Sequence, residues 1–252
     1  MLKVDKLSKV FIDSKGEEIQ AVDELSFTCA TGEIVGILGM NGAGKSTTLR
    51  MLSTVIHPSS GCAKIGDINI TDHPEEIRRN IGFLSGSTGL YNKLTAKETL
   101  LYFAQLHGMS KKETLVKIAE LSQLLDMNDF IDRTCEKLST GQKQKVNICR
   151  TIIHDPDLLI LDEATTGLDV VAKQSIINFI QHFRSKAILF CTHHMDEVYQ
   201  LCDKVLLLHK GKRLAFGTIE EVCQQFDAKD LNEVFARYAD QMQTDSQSKE
   251  PV

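Results

Sequence analysis

A glycine-rich segment followed by a lysine and a serine is the clearest chemical pattern in the sequence. Its candidate binding residues are Gly39, Asn41, Gly42, Ala43, Gly44, Lys45, Ser46 and Thr47. Glycines at this spacing let backbone N–H groups surround phosphate oxygens, and a helix predicted from Lys45 adds further N–H groups and its positive dipole end. Lys45 can neutralise the β- and γ-phosphates, and Ser46 can bind Mg²⁺. The segment therefore predicts a nucleoside triphosphate site, which kinases, GTPases and motor proteins would share.

Two acids form the second pattern, because Asp162 and Glu163 follow directly on the apolar run of residues 158–161. In a parallel sheet the ligand crevice lies at the carboxyl ends of the strands. Asp162 is therefore expected to complete the Mg²⁺ site, and Glu163 to polarise the attacking water as general base. A strand that simply ends in exposed acids is the alternative. The second acid favours water as the acceptor, hence ATP hydrolysis rather than transfer to a small molecule.

A third segment lies between these two. It consists of Leu138, Ser139, Thr140, Gly141 and Gln142. Serine, glycine and free N–H groups at a helix start make an anion site, although Ser139 could also be an ordinary helix cap. Here the sequence resembles the ABC-transporter ATPases, whose signature Leu-Ser-Gly-Gly-Gln opens a helix; Thr140 replaces the first glycine. The resemblance implies that this segment holds the γ-phosphate of ATP bound on a second copy, and hence a homodimer.

The same resemblance assigns expected roles to three further residues. Asp169 stands in the position of the family's D-loop, and Phe11 where the family places an aromatic ring that stacks on adenine. His193 would contact the γ-phosphate and hold the water and Glu163, with His194 as the neighbouring alternative. Taken singly, a histidine after a buried strand is more often structural, and a phenylalanine more often belongs to the core.

Two departures from the family pattern bear on the site. Gly86 stands where the family has a glutamine that serves the metal and the membrane subunit; Ser85, Ser87 or a water could substitute for it. Ala164 stands where the family has proline, and the absence of proline should loosen the turn after Glu163. Residues 81–98 resemble the NatA-type sodium-exporter subgroup of these ATPases, which also tends to lack the glutamine.

Apolar periodicity predicts the elements that must position these residues. Strands are predicted at residues 2–11, 19–29, 33–38, 62–70, 81–84, 157–161, 187–191 and 204–209. Helices are predicted at 45–52, within 95–125, at 170–183, and as two short helices within 218–238. Their alternation indicates an α/β fold. The resemblance implies a P-loop domain over 1–240 with a mostly parallel core sheet, an N-terminal antiparallel β part, a helical insertion at about 88–153, a helical C-terminal extension at about 218–240, and a disordered tail at 241–252.

Composition limits the class of protein. The 252 residues carry 29 Lys and Arg against 34 Asp and Glu, a formal charge of −5, which does not favour nucleic-acid binding. Seven cysteines without two-residue spacing indicate reduced thiols in a cytosolic protein. Because no apolar run approaches the ~18 residues of a membrane span, a role at a membrane would need a partner.

The sequence thus predicts an ATP-binding and ATP-hydrolysing subunit of an ABC exporter, peripheral on the inner face of the cell membrane. ATP and Mg²⁺ are the expected cofactors, integral membrane permease subunits the expected partners, and sodium a candidate cargo. Two alternatives stay open: an ABC ATPase outside transport, and a regulator that senses nucleotide and hydrolyses it slowly. A small-molecule kinase would leave residues 138–142 unexplained.

Overall fold

Strands and helices alternate along the chain, which the computed structural model describes over residues 1–86 and 89–238. The strands are β1 (Leu2–Ile12), β2 (Glu18–Cys29), β3 (Ile34–Leu38), β4 (Ser60–Ile65), β5 (Ile68–Asn69), β6 (Ile81–Leu84), β7 (Leu158–Asp162), β8 (Ala187–Cys191), β9 (Lys204–His209) and β10 (Lys212–Gly217). The helices are α1 (Lys45–Leu52), α2 (Pro74–Asn80), α3 (Ala96–Leu106), α4 (Lys111–Leu124), α5 (Thr140–Ile152), α6 (Val170–His182), α7 (Met195–Leu201) and α8 (Ile219–Gln225), with a further helical stretch at 231–238. The tail predicted at 241–252, together with Ser87 and Thr88, lies outside the described residues.

A six-stranded sheet in the order β10-β9-β3-β8-β7-β6 forms the centre of the fold. All its neighbours are parallel except β9 and β10. Strands β3 and β8 are buried at every position, which explains their uninterrupted apolar sequences. Cys191, at the end of β8, pairs with Ile37 of β3 on one side and with Asp162 of β7 on the other. The glycine-rich loop after β3 and the acids after β7 therefore emerge at the same edge of the sheet.

A smaller antiparallel sheet in the order β2-β1-β4-β5 covers one face of the parallel sheet, and α1 lies between them. Leu25 of β2, Leu49 of α1 and Ile160 of β7 belong to one buried core. The predicted α/β fold with an N-terminal antiparallel part is thus confirmed. The single strand predicted at 62–70 is wrong: Gly66, at φ +60°, turns the chain between β4 and β5.

Helices α3, α4, α5 and α6 cover the opposite face of the parallel sheet. Leu100, Leu121 and Ile148, one from each of α3, α4 and α5, share a core with Leu161 of β7. The region predicted to be helical at 95–125 is two helices, since Gly108 at φ +81° separates α3 from α4. The helices of the proposed insertion therefore share a core with the sheet; residue 88, its predicted start, lies outside the described part.

Among the α-helices and strands of the described residues, three escaped the sequence prediction, namely α2, α7 and β10. Two of them are helices of seven residues, too short to give a clear helical period. The two short helices expected within 218–238 are present as α8 and the stretch 231–238. No helix in the described ranges is both long and apolar enough to cross a bilayer.

Candidate functional site

The glycine-rich loop connects β3 to α1 through backbone conformations that few side chains could adopt. Gly44 has φ +100°, and a Cβ atom there would lie 2.6 Å from the carbonyl oxygen of Ala21 on β2. The N–H of Gly211 donates to Ala43 O at 3.0 Å, and the N–H of Asp23 donates to Gly211 O at 2.9 Å. Backbone contacts therefore fix the loop both to β2 and to the turn between β9 and β10.

The side chain of Lys45 binds back to the start of the glycine-rich loop. Its Nζ donates to the carbonyl oxygens of Gly39 at 2.6 Å and of Met40 at 3.0 Å. Gly44 precedes the helix and has no side chain that could cap it, so the first N–H groups of α1 stay available to a ligand. One ammonium and several amides thus converge on a space suited to phosphate oxygens.

Asp162 and Ser46 form the candidate metal site at the edge of the sheet. The Ser46 hydroxyl and the Cys191 thiol lie near the carboxylate of Asp162 and favour its charged form. Burial raises the pKa of Asp162, and the charge of Glu163 adds to that rise, whereas the thiol, the hydroxyl and the charge of Lys45 oppose it. The pKa of the Cys191 thiol is also raised, mainly by burial and then by the charge of Asp162, so the thiol keeps its proton.

A carboxylate beside a hydroxyl fits Mg²⁺, which binds oxygen ligands and usually keeps several waters. Within residues 1–86 and 89–238, no group of three or more His, Cys, Asp or Glu side chains could hold a metal. A cation bound by Ser46 and Asp162 would leave positions for phosphate oxygens and water, which Mg²⁺ commonly keeps as ligands.

Glu163 and His193 approach each other just outside the metal pair. Glu163 has φ +53°, a conformation that non-glycine residues rarely adopt, and its N–H donates to Cys191 O at 2.9 Å. Its Oε1 lies 3.6 Å from Nδ1 of His193, which is within ion-pair reach but longer than a hydrogen bond. His194 instead precedes α7 as its cap residue. The geometry thus favours His193 over His194 as the partner of Glu163.

A cleft of about 420 Å³ gathers most of the predicted binding residues. Its lining comprises Phe11, Ile19, Gln20, Ala21, Asn41, Gly42, Ala43, Gly44, Lys45, Ser46, Thr47, Asp162 and Glu163. The ring of Phe11 is 40% exposed on β1, which favours stacking on a base over a place in the core. Sequence reasoning missed Ile19, Gln20 and Ala21. The hairpin register could have found them, since Phe11 pairs with Ile19 across β1 and β2.

The signature segment and Asp169 do not line this cleft. Ser139 caps α5 with a reciprocal pair of hydrogen bonds, from Gln142 N to its Oγ at 3.2 Å and from its own N to Gln142 Oε1 at 3.0 Å. Asp169 caps α6 by accepting from Ala172 N at 2.9 Å. The starts of α5 and α6 adjoin, because a Cβ atom on Gly141 would lie 3.2 Å from Cβ of Ala172. Ser139 is exposed, so this surface is open to a second molecule.

Gly86 lies against the acids, as the resemblance to the family predicts. A Cβ atom there would lie 3.6 Å from Asp162 O, 3.8 Å from Glu163 Cβ and 4.0 Å from Glu163 Oε2. A side chain would therefore fit at this position, and glycine leaves that space open.

One buried carboxylate beside the site gave no signal in the sequence. Glu197, on α7, accepts hydrogen bonds from the hydroxyls of Thr165 and Thr192 and pairs with Lys173. Its partners come from separate segments of the chain, so no short spacing pattern could reveal it.

The sequence of this chain is similar to one protein family and to named bacterial proteins. The profile of the family described as "ABC transporter" matches residues 22–166. The ABC transporter ATP-binding protein NatA of Bacillus subtilis is 40% identical over 238 residues, 93% of this chain and 96% of that protein. The methionine import ATP-binding protein MetN 1 of Bacillus thuringiensis is 34% identical over 232 residues, 89% of this chain and 68% of that protein.

Solved structures share the same architecture. An ATP-binding subunit of an ABC transporter superposes with a TM-score of 0.84 at 28% identity, covering 94% of this chain and 98% of that one. The ATP-binding cassette MJ0796, solved as a dimer in a post-hydrolysis state with ADP and Pi, gives 0.78 at 26% identity, covering 86% of this chain and 98% of that one.

Proposed function

This chain belongs to the ABC transporter ATP-binding proteins, and from that premise we propose that two copies hydrolyse ATP to drive transport by separate membrane subunits. The observation that carries the proposal is the cleft that joins the phosphate loop to Asp162 and Glu163, while the signature residues lie outside it. A single copy thus offers two half-sites. ATP bound to one copy would need the second copy to enclose its γ-phosphate.

Nucleotide binding follows from the groups around the cleft. Phe11 would stack on the adenine ring, the loop amides and Lys45 would bind the phosphates, and Thr47 would add a hydroxyl at the start of α1. Ser46 and Asp162 would hold Mg²⁺, which neutralises phosphate charge when it is bound.

Hydrolysis would depend on Glu163. Its carboxylate would accept the proton of a water that attacks the γ-phosphate, and His193, 3.6 Å away, would hold both the carboxylate and the phosphate in register. Glu163 lines the cleft and has a left-handed backbone conformation, which is rare outside functional sites for a residue other than glycine.

Closure of the two copies around ATP would be the step that drives transport. ATP favours the closed pair because only that state satisfies its phosphates from both sides, by Lys45 of one copy and by Ser139 and Gly141 of the other. Once the γ-phosphate has been cleaved and has left as phosphate, the shared contact is lost and the pair reopens. Asp169 would lie at the same junction, since it begins the helix that adjoins Gly141. MJ0796, a dimer in its ADP and Pi state, supports this arrangement by analogy.

The deciding experiment is Glu163→Gln, which keeps the shape of the side chain but removes the base. We expect steady-state hydrolysis to fall at least about a hundredfold. With ATP the variant should form a dimer that light scattering detects. Glu120→Gln, an exposed glutamate on α4, is the matched control and should behave as the wild type. Normal turnover by Glu163→Gln would contradict the assignment of the base, and failure to dimerise would contradict the two-copy mechanism.

The cargo and direction are a finer part of the proposal. We propose export, with sodium as the candidate ion, because residues 81–98 resemble the NatA-type subgroup and NatA is 40% identical overall. The protein would then sit in the cytoplasm against the inner face of the membrane, held by its permease. Inside-out vesicles that carry the chain and its co-purified membrane subunits should accumulate ²²Na⁺ when ATP is added. Accumulation of other solutes but not of sodium would overturn the ion, and efflux from these vesicles would overturn the direction.

A slow nucleotide-sensing regulator is the second candidate. Gly86, Thr140 and Ala164, which replace residues typical of the family, leave this candidate open. Turnover that stays low even with co-purified membrane subunits would support the regulator over the transport motor. An ABC ATPase outside transport would instead fail to co-purify with any integral membrane protein.

A further inference from the structure

Glu197 is 0% exposed, which is rare for a carboxylate unless its charge is compensated. Its Oε2 accepts a hydrogen bond from Thr192 Oγ1 at 2.6 Å. Its Oε1 accepts from Thr165 Oγ1 at 2.7 Å and lies 2.9 Å from Lys173 Nζ. Two hydroxyls and one ammonium thus occupy both carboxylate oxygens.

The three partners belong to three separate segments of the site. Thr165 lies two residues after Glu163, Thr192 directly precedes His193, and Lys173 lies in the first turn of α6 after Asp169. Thr192 Oγ1 also accepts the N–H of His194 at 3.1 Å, so the backbone on the far side of His193 is fixed as well. One buried side chain therefore joins the turn after the acids, the histidine segment and the start of α6.

Packing alone would not require this chemistry. A well-packed apolar side chain stabilises a core at least as well as a buried ion pair does, whereas a buried ion pair specifies directions and distances. The only ammonium in these contacts is that of Lys173, which also pairs with the largely exposed Asp196 at 2.9 Å. Asp196 thus shares the ion pair with Glu197 and makes no contact with either threonine hydroxyl among the described hydrogen bonds.

We propose that Glu197 is a positioning residue for ATP hydrolysis: it sets the distance between Glu163 and His193 by holding Thr165 and Thr192 on one carboxylate. The inference rests on the proposed function, since it presumes that Glu163 is the base. Its side chain is fully buried and does not line the nucleotide cleft, so it acts on the rate of the chemical step and leaves ATP binding intact.

The test compares Glu197→Gln with Asp196→Asn in the full-length protein. The amide of Glu197→Gln keeps one acceptor oxygen but places an NH₂ group against a hydroxyl or the ammonium. We expect kcat to fall about ten- to a hundredfold, since small misplacements of reacting groups have effects of this size. The KM for ATP should stay within about threefold of the wild type. Asp196→Asn, which loosens the same lysine, should keep kcat within about twofold.

Thr192→Val and Thr192→Ser form a second pair of variants. They test the positioning role even if Glu197→Gln folds poorly. Valine keeps the shape and removes the hydroxyl; serine keeps the hydroxyl. We expect Thr192→Val to lower kcat about tenfold at unchanged KM, and Thr192→Ser to restore it to within about twofold of the wild type. A purely structural role would lower the melting temperature of Thr192→Val and leave kcat unchanged below that temperature.

Three results would overturn the inference: wild-type kcat in folded Glu197→Gln, a rise in KM at constant kcat, or equal loss in Thr192→Val and Thr192→Ser. Each leaves the proposed function standing, provided that the wild type hydrolyses ATP and Glu163→Gln does not. Absence of hydrolysis in the wild type would count against the proposed function itself.

Discussion

At the scale of single residues, two adjacent acids differ because their surroundings differ. Asp162 ends a strand with Ser46 and Cys191 near its carboxylate, and burial raises its pKa. Glu163 turns outward at φ +53° into the open cleft. This difference is the basis on which we propose a metal-binding role for Asp162 and the role of general base for Glu163.

Gly86 permits a gain-of-contact experiment beside these acids. Gly86→Gln should fold normally, with a melting temperature within about 2 °C of the wild type, since its Cβ meets nothing nearer than 3.6 Å. Its amide can reach the metal site, so we expect the Mg²⁺ concentration for half-maximal hydrolysis to fall about three- to tenfold. Gly86→Leu fills the same space without an amide and should show no such decrease. Equal responses of the two variants would mean that occupied volume, not oxygen ligation, controls the site.

The phosphate loop, the acid pair and the fold class were all predictable from the sequence, because each depends on residues close together in the chain. Buried strands such as β3 and β8 read as unbroken apolar runs, and a positive-φ turn such as Gly44 requires glycine. The role of Glu197 was not predictable, since Thr165 and Lys173 reach it only through the fold. Its helix, α7, has only seven residues and gives no clear period.

At the scale of elements, helix starts show which polar contacts are structural. Helices α3, α4, α5 and α8 begin with reciprocal capping boxes, at Thr95, Ser110, Ser139 and Thr218 respectively. Only the box of α5 coincides with a proposed contact to nucleotide. Removing the cap at another box therefore shows how much of the effect of a Ser139 substitution comes from the loss of a helix cap alone.

Ser139→Ala and Ser110→Ala remove equivalent caps, and each should lower the free energy of unfolding by about 1 kcal/mol. Hydrolysis should fall at least about tenfold in Ser139→Ala alone, because only that serine would meet the γ-phosphate of the second copy. Urea denaturation gives the first quantity and phosphate release the second. Equal hydrolysis in the two variants would reduce Ser139 to an ordinary cap.

Helices α3 and α5 are joined near their ends by a pair of stacked histidines. His107 and His154 have ring centroids 3.6 Å apart and planes 8° apart, and Nε2 of His154 lies 3.0 Å from Ile81 O. Burial, followed by the charge of His107, lowers the pKa of His154 to about 4. Protonation of either ring would place a charge against the other one.

This pair predicts a loss of stability in mild acid. The folded protein binds a proton at His154 less readily than the unfolded chain, whose histidines have a pKa of about 6.5, so stability decreases as the pH falls from about 6.5 towards 4. Between pH 7 and pH 5 we expect about 1–2 kcal/mol, allowing for the partial exposure of the ring. Urea denaturation of His154→Gln should lack this part of the decrease. His57→Gln, at an exposed position, should retain it; a wild-type response from His154→Gln would contradict the assignment.

At the scale of the whole molecule, an apolar pair stands out on the surface beside the signature segment. Val170 and Val171 are 82% and 80% exposed at the start of α6, next to Ala172, which adjoins Gly141. Adjacent valines so fully exposed suit a surface that becomes covered when two copies meet.

Val170→Asp should therefore weaken the ATP-dependent dimer of the Glu163→Gln protein at least about tenfold, as measured by analytical ultracentrifugation. The free energy of unfolding should change by less than about 0.5 kcal/mol, since the site is exposed and an acid suits the start of a helix. Val116→Asp, at a valine that is 66% exposed on α4, should leave the dimer unchanged. Unchanged dimerisation in Val170→Asp would show that the dimer interface does not include this pair of valines.

The backbone contacts among Ala43, Gly211 and Asp23 have a thermodynamic consequence for the whole cycle. They fix the spacing between the aromatic ring on β1 and the phosphate loop when the chain folds, before any nucleotide arrives. Little ordering entropy is then lost on binding to a single copy. More of the free energy of the ligand remains for bringing two molecules together, and that is the part a transporter can convert into movement.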